Sequence, residues 1–262
     1  MNIFVHELKA YRKSTFVWAF SLIAIVVLFL SMFPSISKEI VEFTKLLEGF
    51  PEPVRKALGL EIESFGSILG FYSYLFLYVT LCGAIQAMHI GSSIVSKEVR
   101  DKTADFLLTK PVSRTTILTT KLLAALTTLV ITNIAFLISA RIMIAQVFTE
   151  SYSVKGFWMI SLTLFFTQLI FLSLGIVISI IFPKIKSALT ISLGIVFTFF
   201  IIGLLVSTTD DSMKRYLSPF KYFDSAYILE NSSYEISFML TGIVIIVISV
   251  VASYIIYTKK DI

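Results

Sequence analysis

Six long apolar segments alternate with shorter polar stretches along the 262-residue chain. Each segment is about 20 residues long or longer, which is what an α-helix needs to cross a hydrocarbon core of about 30 Å. The pattern predicts an all-α integral membrane protein in which residues 1–262 form a single transmembrane domain. The predicted spans cover about residues 14–33, 69–95, 116–140, 157–182, 188–206 and 237–257.

The segment of residues 1–13 is more polar than the span that follows it. Phe4, Leu8 and Tyr11 fall on one face of a helix, with charged residues elsewhere, which is typical of an amphipathic helix at a membrane interface. An unstructured basic tail is the alternative. Proline removes a helical N–H group, so Pro34 is expected to end the first span, and two short surface helices are expected in the acidic stretch after it.

The composition excludes a soluble domain, because 56% of the residues are hydrophobic and only 15% are charged. The net charge of +5 indicates membrane topology and not nucleic-acid binding, since the basic residues gather on one side of the predicted spans. With the amino terminus inside, the cytoplasmic segments carry 13 Lys and Arg residues and the outer loops carry eight. Cytoplasmic loops are enriched in Lys and Arg, so both termini are predicted to be cytoplasmic.

The densest run of charge lies at Ser96–Lys121, between the second and third spans. Ser96 is a typical helix N-cap, and Glu98 falls in the first turn, where the helix dipole favours an anion. Pro111 ends this helix because the residue before a proline avoids helical dihedral angles. The pattern predicts a short amphipathic helix over about residues 96–110, held between two membrane spans.

This charged run resembles the cytoplasmic loop of ABC-2 type transporter permeases, whose fold is that of type V exporters. The matching residues are Glu98, Arg100, Thr103, Asp105, Leu107, Leu108, Pro111, Val112, Ser113, Arg114 and Lys121. In that family the loop is a coupling helix that docks on a separate ATP-binding subunit, and glycine is commoner where this chain has Lys102. A solvated charged loop of another membrane protein is the alternative. The resemblance assigns coupling to Glu98, Arg100, Lys102, Thr103, Phe106, Leu107, Pro111 and Arg114.

Two stripes of small or polar residues lie within the predicted spans. Polar groups are costly in hydrocarbon, so each stripe is expected to face protein or a water-filled path. Packing inside one subunit is the simpler interpretation of any single residue, and Gln168 is interpreted in that way. As a pair, the stripes are interpreted as a translocation path or a dimer seam. They consist of Tyr72, Gln86, His89 and Ser93 in the second span and of Thr190, Gly194 and Thr198 in the fifth.

A second stretch, Ser218–Asp224, resembles a Pro-Phe-x-Tyr-Phe-Asp signature found before the last span in many of these permeases. The resemblance implies a short re-entrant or interfacial helix, over about residues 217–230, that caps the outer end of the path. An aromatic belt at the membrane surface is the alternative. The residues assigned to this outer gate are Pro219, Phe220, Tyr222 and Phe223.

The sequence gives no sign of catalytic chemistry. No stretch matches the phosphate-binding pattern GxxxxGK[ST]. His6 and His89 lie in different segments and form no HExxH pair, and with the single cysteine Cys82 no intrachain disulfide can form. The chain is therefore predicted not to be an enzyme and to hold no cofactor or metal of its own, with ATP and Mg²⁺ bound by the partner subunit.

These features predict the permease subunit of an ATP-driven exporter in a bacterial cytoplasmic membrane. The expected partners are two copies of a separate ABC ATPase, membrane lipid, and a second copy of the chain or a related permease. The expected substrate is an amphipathic peptide, toxin or drug. Export of sodium or a lipid-like molecule, and a non-transporting scaffold, are the alternatives. A secondary transporter is disfavoured because none of the 17 acidic residues lies inside a predicted span.

Overall fold

The computed structural model describes residues 3–58, 65–97, 112–182, 184–209 and 211–259. The chain is 86% helical, and six of the described helices are long and apolar enough to cross a membrane. The predicted all-α membrane fold is confirmed. In chain order the helices are α1 (Ile3–Lys38), α2 (Ile40–Glu48), α3 (Glu52–Leu58), α4 (Ile68–Ser93), α5 (Arg114–Val147), α6 (Val154–Ile181), α7 (Ala188–Ser207), α8 (Ser225–Asn231) and α9 (Ile236–Lys259).

Helix α1 is continuous from Ile3 to Lys38, so the predicted interfacial helix and the first span form one rod. The predicted end at Pro34 is wrong, because the proline lies inside the helix. A proline this close to the end of a helix removes only one hydrogen bond. Packing offsets the loss: Phe33 is buried and its ring contacts Phe71 and Phe148.

Four of the long helices begin at a serine that caps them. The side chains of Ser67, Ser113, Ser153 and Ser187 each accept a hydrogen bond from the backbone N–H three residues later, over 3.0 to 3.3 Å. Such a cap satisfies one of the N–H groups that the first turn of a helix leaves without a partner. Serine therefore marks where each of these spans starts.

The two ends of the bundle differ in what they contain. At one end, the start of α5 meets the end of α9: Arg114 donates to the Tyr257 carbonyl over 3.5 Å, and the Thr119 and Tyr254 hydroxyls lie 2.7 Å apart. The start of α1 lies at this same end, since Glu7 contacts Lys97. We call it the N-terminal end, and we call the other, which holds residues 211–231, the distal end.

Helices α4 and α6 approach each other more closely than ordinary side chains allow. A Cβ atom placed on Gly91 would lie 2.4 Å from the Leu172 carbonyl oxygen, and one on Gly175 would lie 2.8 Å from the Met88 carbonyl oxygen. Small residues let backbones approach in this way, and dispersion contacts then hold the helices together. By contrast, a Cβ atom on Gly194 would meet nothing within 4 Å.

We predict that Gly91→Ala destabilises the protein and that Gly194→Ala does not. The added methyl group at Gly91 must push the α4 and α6 backbones apart, and overpacking of this kind costs about 1–3 kcal/mol. Thermal unfolding of the purified variants in one detergent would measure the difference. Equal unfolding temperatures for the two variants would show that the α4–α6 contact is not close in the folded protein.

Candidate functional site

A buried cluster of charges lies at the N-terminal end of the bundle. In the chain, its residues come before and after the predicted coupling segment. Glu7 of α1 is 3% exposed and Lys121 of α5 is 1% exposed. One Glu7 oxygen accepts a hydrogen bond from Lys97 over 2.5 Å, and the other lies 3.7 Å from the Lys121 ammonium group. Lys121 also donates to the Ile94 carbonyl over 2.8 Å. We call Glu7, Lys97 and Lys121 the anchor cluster.

The anchor cluster joins three elements that are distant in sequence. Lys97 follows the end of α4, Lys121 lies two turns into α5, and Glu7 belongs to the start of α1. The Lys97 ammonium group also lies 4.8 Å from the centre of the Tyr11 ring, a favourable cation–π contact. Charges are retained in such places when they are paired and hydrogen-bonded. The chain is therefore held to α1 both before and after residues 98–111.

Most of the residues assigned to coupling lie outside the described residues. These are Glu98, Arg100, Lys102, Thr103, Phe106, Leu107 and Pro111. Arg114 is described: it is the first residue of α5 and contacts the end of α9. The sequence analysis missed Glu7, although its spacing from Tyr11, four residues on, places both on one helical face. That spacing was the available signal.

The polar residues of α4 are mostly turned into the protein. The Gln86 carboxamide is fully buried, donates to the Thr132 hydroxyl over 3.2 Å and accepts from Gln168 over 3.1 Å. Asn133 in turn donates to Gln168 over 2.5 Å. This amide network joins α4, α5 and α6 inside one chain, and it contains Gln168, which was predicted to have that role.

The structure corrects the predicted location of three residues of the first stripe. Tyr72, Gln86 and Ser93 are buried among helices of one chain, and the Tyr72 hydroxyl lies 2.8 Å from that of Ser161. A dimer seam requires a surface that the single chain leaves open, so these three side chains cannot form one here. His89 differs, because it is partly exposed on the same side of α4 as Tyr78 and Cys82.

The second stripe lies on an open surface. Thr190, Gly194 and Thr198 are all exposed on α7. Phe197, Ile201 and Leu205 are exposed on the same helix, by 42% to 63%. Both threonine hydroxyls bond to groups of α7 or its N-cap: Thr198 donates to the Gly194 carbonyl over 2.8 Å, and the Thr190 hydroxyl lies 2.9 Å from that of Ser187. This α7 face needs no polar partner and can meet lipid or a second chain.

The residues assigned to the outer gate lie at the distal end, where two short 3₁₀ turns precede a helix: Pro219 and Phe220 lie in the second turn, and Tyr222 and Phe223 lie between it and the helix. The turns are Ser212–Leu217 and Pro219–Lys221, and α8 follows them. We call residues 212–231 the distal segment. The Phe220 ring lies 5.1 Å from that of Phe171 and 5.5 Å from that of Phe200, centre to centre.

The distal segment packs against the membrane helices. The Ser218 hydroxyl donates to the Phe199 carbonyl of α7 over 2.7 Å. Phe199 lies eight residues before Ser207, where α7 ends, and eight residues of helix span about 12 Å. Pro219 and Tyr222 are buried, and Phe223 lies against Phe166 of α6.

Two tyrosines and an ion pair fasten the distal segment. Burial raises the pKa of Tyr222, and it raises the pKa of Tyr234 to about 12, so both phenols stay protonated at neutral pH. Each donates to a backbone carbonyl: Tyr222 to Tyr216 over 2.9 Å and Tyr234 to Met159 over 2.8 Å. Arg215 forms a two-pronged ion pair with Glu235 at the start of α9.

A family model described as ABC-2 family transporter protein matches residues 1–262 of the chain. The chain belongs to that family. A comparison with curated proteins found no match. Members of the family are the membrane components of ABC transporters, so this permease is a multi-pass membrane protein that associates with an ABC ATPase subunit and is not itself the catalyst.

We expect Glu7→Gln to destabilise the permease strongly, since it leaves the Lys121 charge buried without a carboxylate. Breaking a buried ion pair by removing one partner costs about 3–5 kcal/mol. Adding Lys121→Met should recover part of the loss, because the orphaned charge is then removed as well.

Thermal unfolding of the detergent-purified permease would measure both effects. Glu42→Gln, on the exposed surface of α2, is the matched control. If Glu7→Gln and Glu42→Gln unfold at the same temperature, the anchor cluster contributes nothing to stability.

Proposed function

We propose that this permease is the membrane-spanning half of an ATP-driven exporter, with two copies of it bound to two copies of a separate ATPase. The anchor cluster is the observation that carries the proposal. It holds the chain to α1 at Lys97 and at Lys121, on either side of residues 98–111. Because the chain is held on either side of residues 98–111, a force that the ATPase applies to this segment would be passed on to the membrane helices.

In this proposal ATP and Mg²⁺ are bound by the ATPase subunit. Closure of two ATPase subunits on ATP moves residues 98–111 and, through the anchor cluster, the ends of α1, α4 and α5. The helices then shift as near-rigid bodies between two arrangements. The amide network of Gln86, Asn133 and Gln168 supports rigid-body movement, because it keeps α4, α5 and α6 in register.

The proposed orientation puts the N-terminal end in the cytoplasm and the distal segment outside. The excess of Lys and Arg in the predicted cytoplasmic segments supports it. Export is proposed as the direction because the loops on the distal side are short, and their described residues form no receptor domain for an imported ligand. The proposed substrate is an amphipathic peptide, toxin or drug, since the α7 face combines apolar side chains with threonine hydroxyls.

To test the assignment, the tagged permease would be purified from its native membrane and its partners identified. We expect an ATPase with a phosphate-binding loop to co-purify, and we expect Phe106→Ala to weaken its binding roughly tenfold or more, as loss of an aromatic anchor does. Phe16→Ala is the control, because Phe16 is 71% exposed on α1, nine residues beyond Glu7 of the anchor cluster. Recovery of intact permease with no ATPase would support the scaffold alternative instead.

A second experiment tests the proposed dimer seam. In a Cys82→Ser background, Thr190→Cys or Thr198→Cys should crosslink two permeases in a nucleotide-dependent way, because an isologous contact brings each α7 face to its own copy. Val196→Cys is the control on the same helix, since Val196 is fully buried inside the chain. Absence of a crosslink from both threonine positions in every nucleotide state would show that the α7 face meets lipid.

A further inference from the structure

A cavity of about 330 Å³ lies inside the single chain, between α4, α6, the end of α7 and the distal segment. Its volume falls at the small end of the range of ligand sites, about 300–1,000 Å³. Thr167, one of its wall residues, lies 13 residues after Val154, the first residue of α6, so this part of the wall is roughly 20 Å along the helix from its start. It is separate from the exposed α7 face.

Hydroxyl groups form much of the wall, and most of them have already donated their proton. Ser73 donates to the Leu69 carbonyl, Thr80 to Phe76 and Thr163 to Ile160, over 2.7 to 2.9 Å. A hydroxyl that donates to its own helix keeps its oxygen lone pairs. The wall therefore offers acceptors to whatever enters.

Thr167, in the buried part of the wall, is an exception. It is 3% exposed and lines the cavity, yet within the described ranges its hydroxyl makes no hydrogen bond to any other group. The Thr167 hydroxyl is not among the enclosed groups of the described residues that lack a partner, so it opens into the cavity and can bond to what enters. A ligand that hydrogen-bonds to Thr167 would find the acceptors of Thr80 and Thr163 in the same wall.

The charged residues around the cavity are engaged with protein groups. Arg215 binds Glu235 and the Lys221 carbonyl. Asp224 accepts from two backbone N–H groups of α8, and Lys56 lies 3.0 Å from Glu52. Lys221, the other charged wall residue, also has a partner. Among the described residues, the wall therefore leaves no charge without a protein partner that would call for an ionic ligand.

The remaining wall is apolar. Phe76, Leu77 and Phe220 line the same cavity, and surfaces of this kind bury hydrocarbon favourably. A ligand that satisfies both parts of the wall needs a compact head with N–H or O–H donors and an apolar chain.

We propose that this cavity binds the uncharged, donor-bearing head group of an amphiphile, an alcohol or an amide, with Thr167 as its central hydrogen-bonding residue. The apolar part of the ligand lies against Phe76 and Phe220. The inference does not rest on ATP-driven export, because binding here involves neither an ATPase nor a second copy of the chain.

The test uses a photoactivatable monoacylglycerol, whose head is an uncharged diol, with the permease in phosphatidylcholine nanodiscs and no ATPase. We expect saturable labelling that maps to peptides of α4, α6 or the distal segment and that unlabelled monoacylglycerol displaces. Probes with the same chain and a phosphate or trimethylammonium head should label this site at least several-fold more weakly.

Thr167→Val should weaken labelling by about three- to tenfold, the usual effect of one hydrogen bond. Thr127→Val is the matched control, because Thr127 donates to its own helix and is not part of the cavity wall. Thr80→Phe, at a partly exposed wall position, should block the site by filling it. Labelling that is indifferent to the head group, maps elsewhere, or is equal in the Thr167 and Thr127 variants would overturn the proposal.

Discussion

A chain in hydrocarbon has no water to satisfy its polar groups, so every such group must find a partner within the protein. The pairing of α4 with α6 meets this requirement most fully here. Gly91 and Gly175 bring the two backbones into contact, and Gln86 and Gln168 then lie close enough to bond. The other long helices pack around this pair, and the apolar residues of both ends of the bundle gather on it. Without that close approach the two carboxamides would lose their bond to each other and keep only their partners on α5.

The number and order of spans could be predicted from the sequence because each is a long apolar run, and the cap at Ser113 could be predicted from its residue type. The orientation of each span about its own axis could not, because a membrane helix is apolar on every side. Gln86 and Thr190 were expected to share one surface, yet the first is buried and the second exposed. Pro34 was misread for a related reason: packing at Phe33, which depends on distant helices, decides whether the helix continues.

The pairing of charges in the anchor cluster could not be predicted from the local sequence either. Glu7 and Lys97 are 90 residues apart in the chain, and nothing in either local pattern identifies the other as its partner. Once brought together, they hold α1 beside the segment that the sequence resemblance predicts to couple to the ATPase. The first residues of the chain therefore belong to the machinery at this end of the bundle, and an unstructured tail is inconsistent with a buried Glu7.

The distribution of hydrogen bonds also decides which movement costs least. Separating α4 from α6 would break the hydrogen bond between the carboxamides of Gln86 and Gln168, and a buried group that loses its hydrogen bond costs about 1–3 kcal/mol. Moving the α7 face away from a neighbour would break no such bond, because the hydroxyls of Thr190 and Thr198 already bond to groups of α7 or its N-cap. A path that opens along α7 therefore leaves the interior of each chain intact, and the force that opens it has to overcome only dispersion contacts between apolar surfaces.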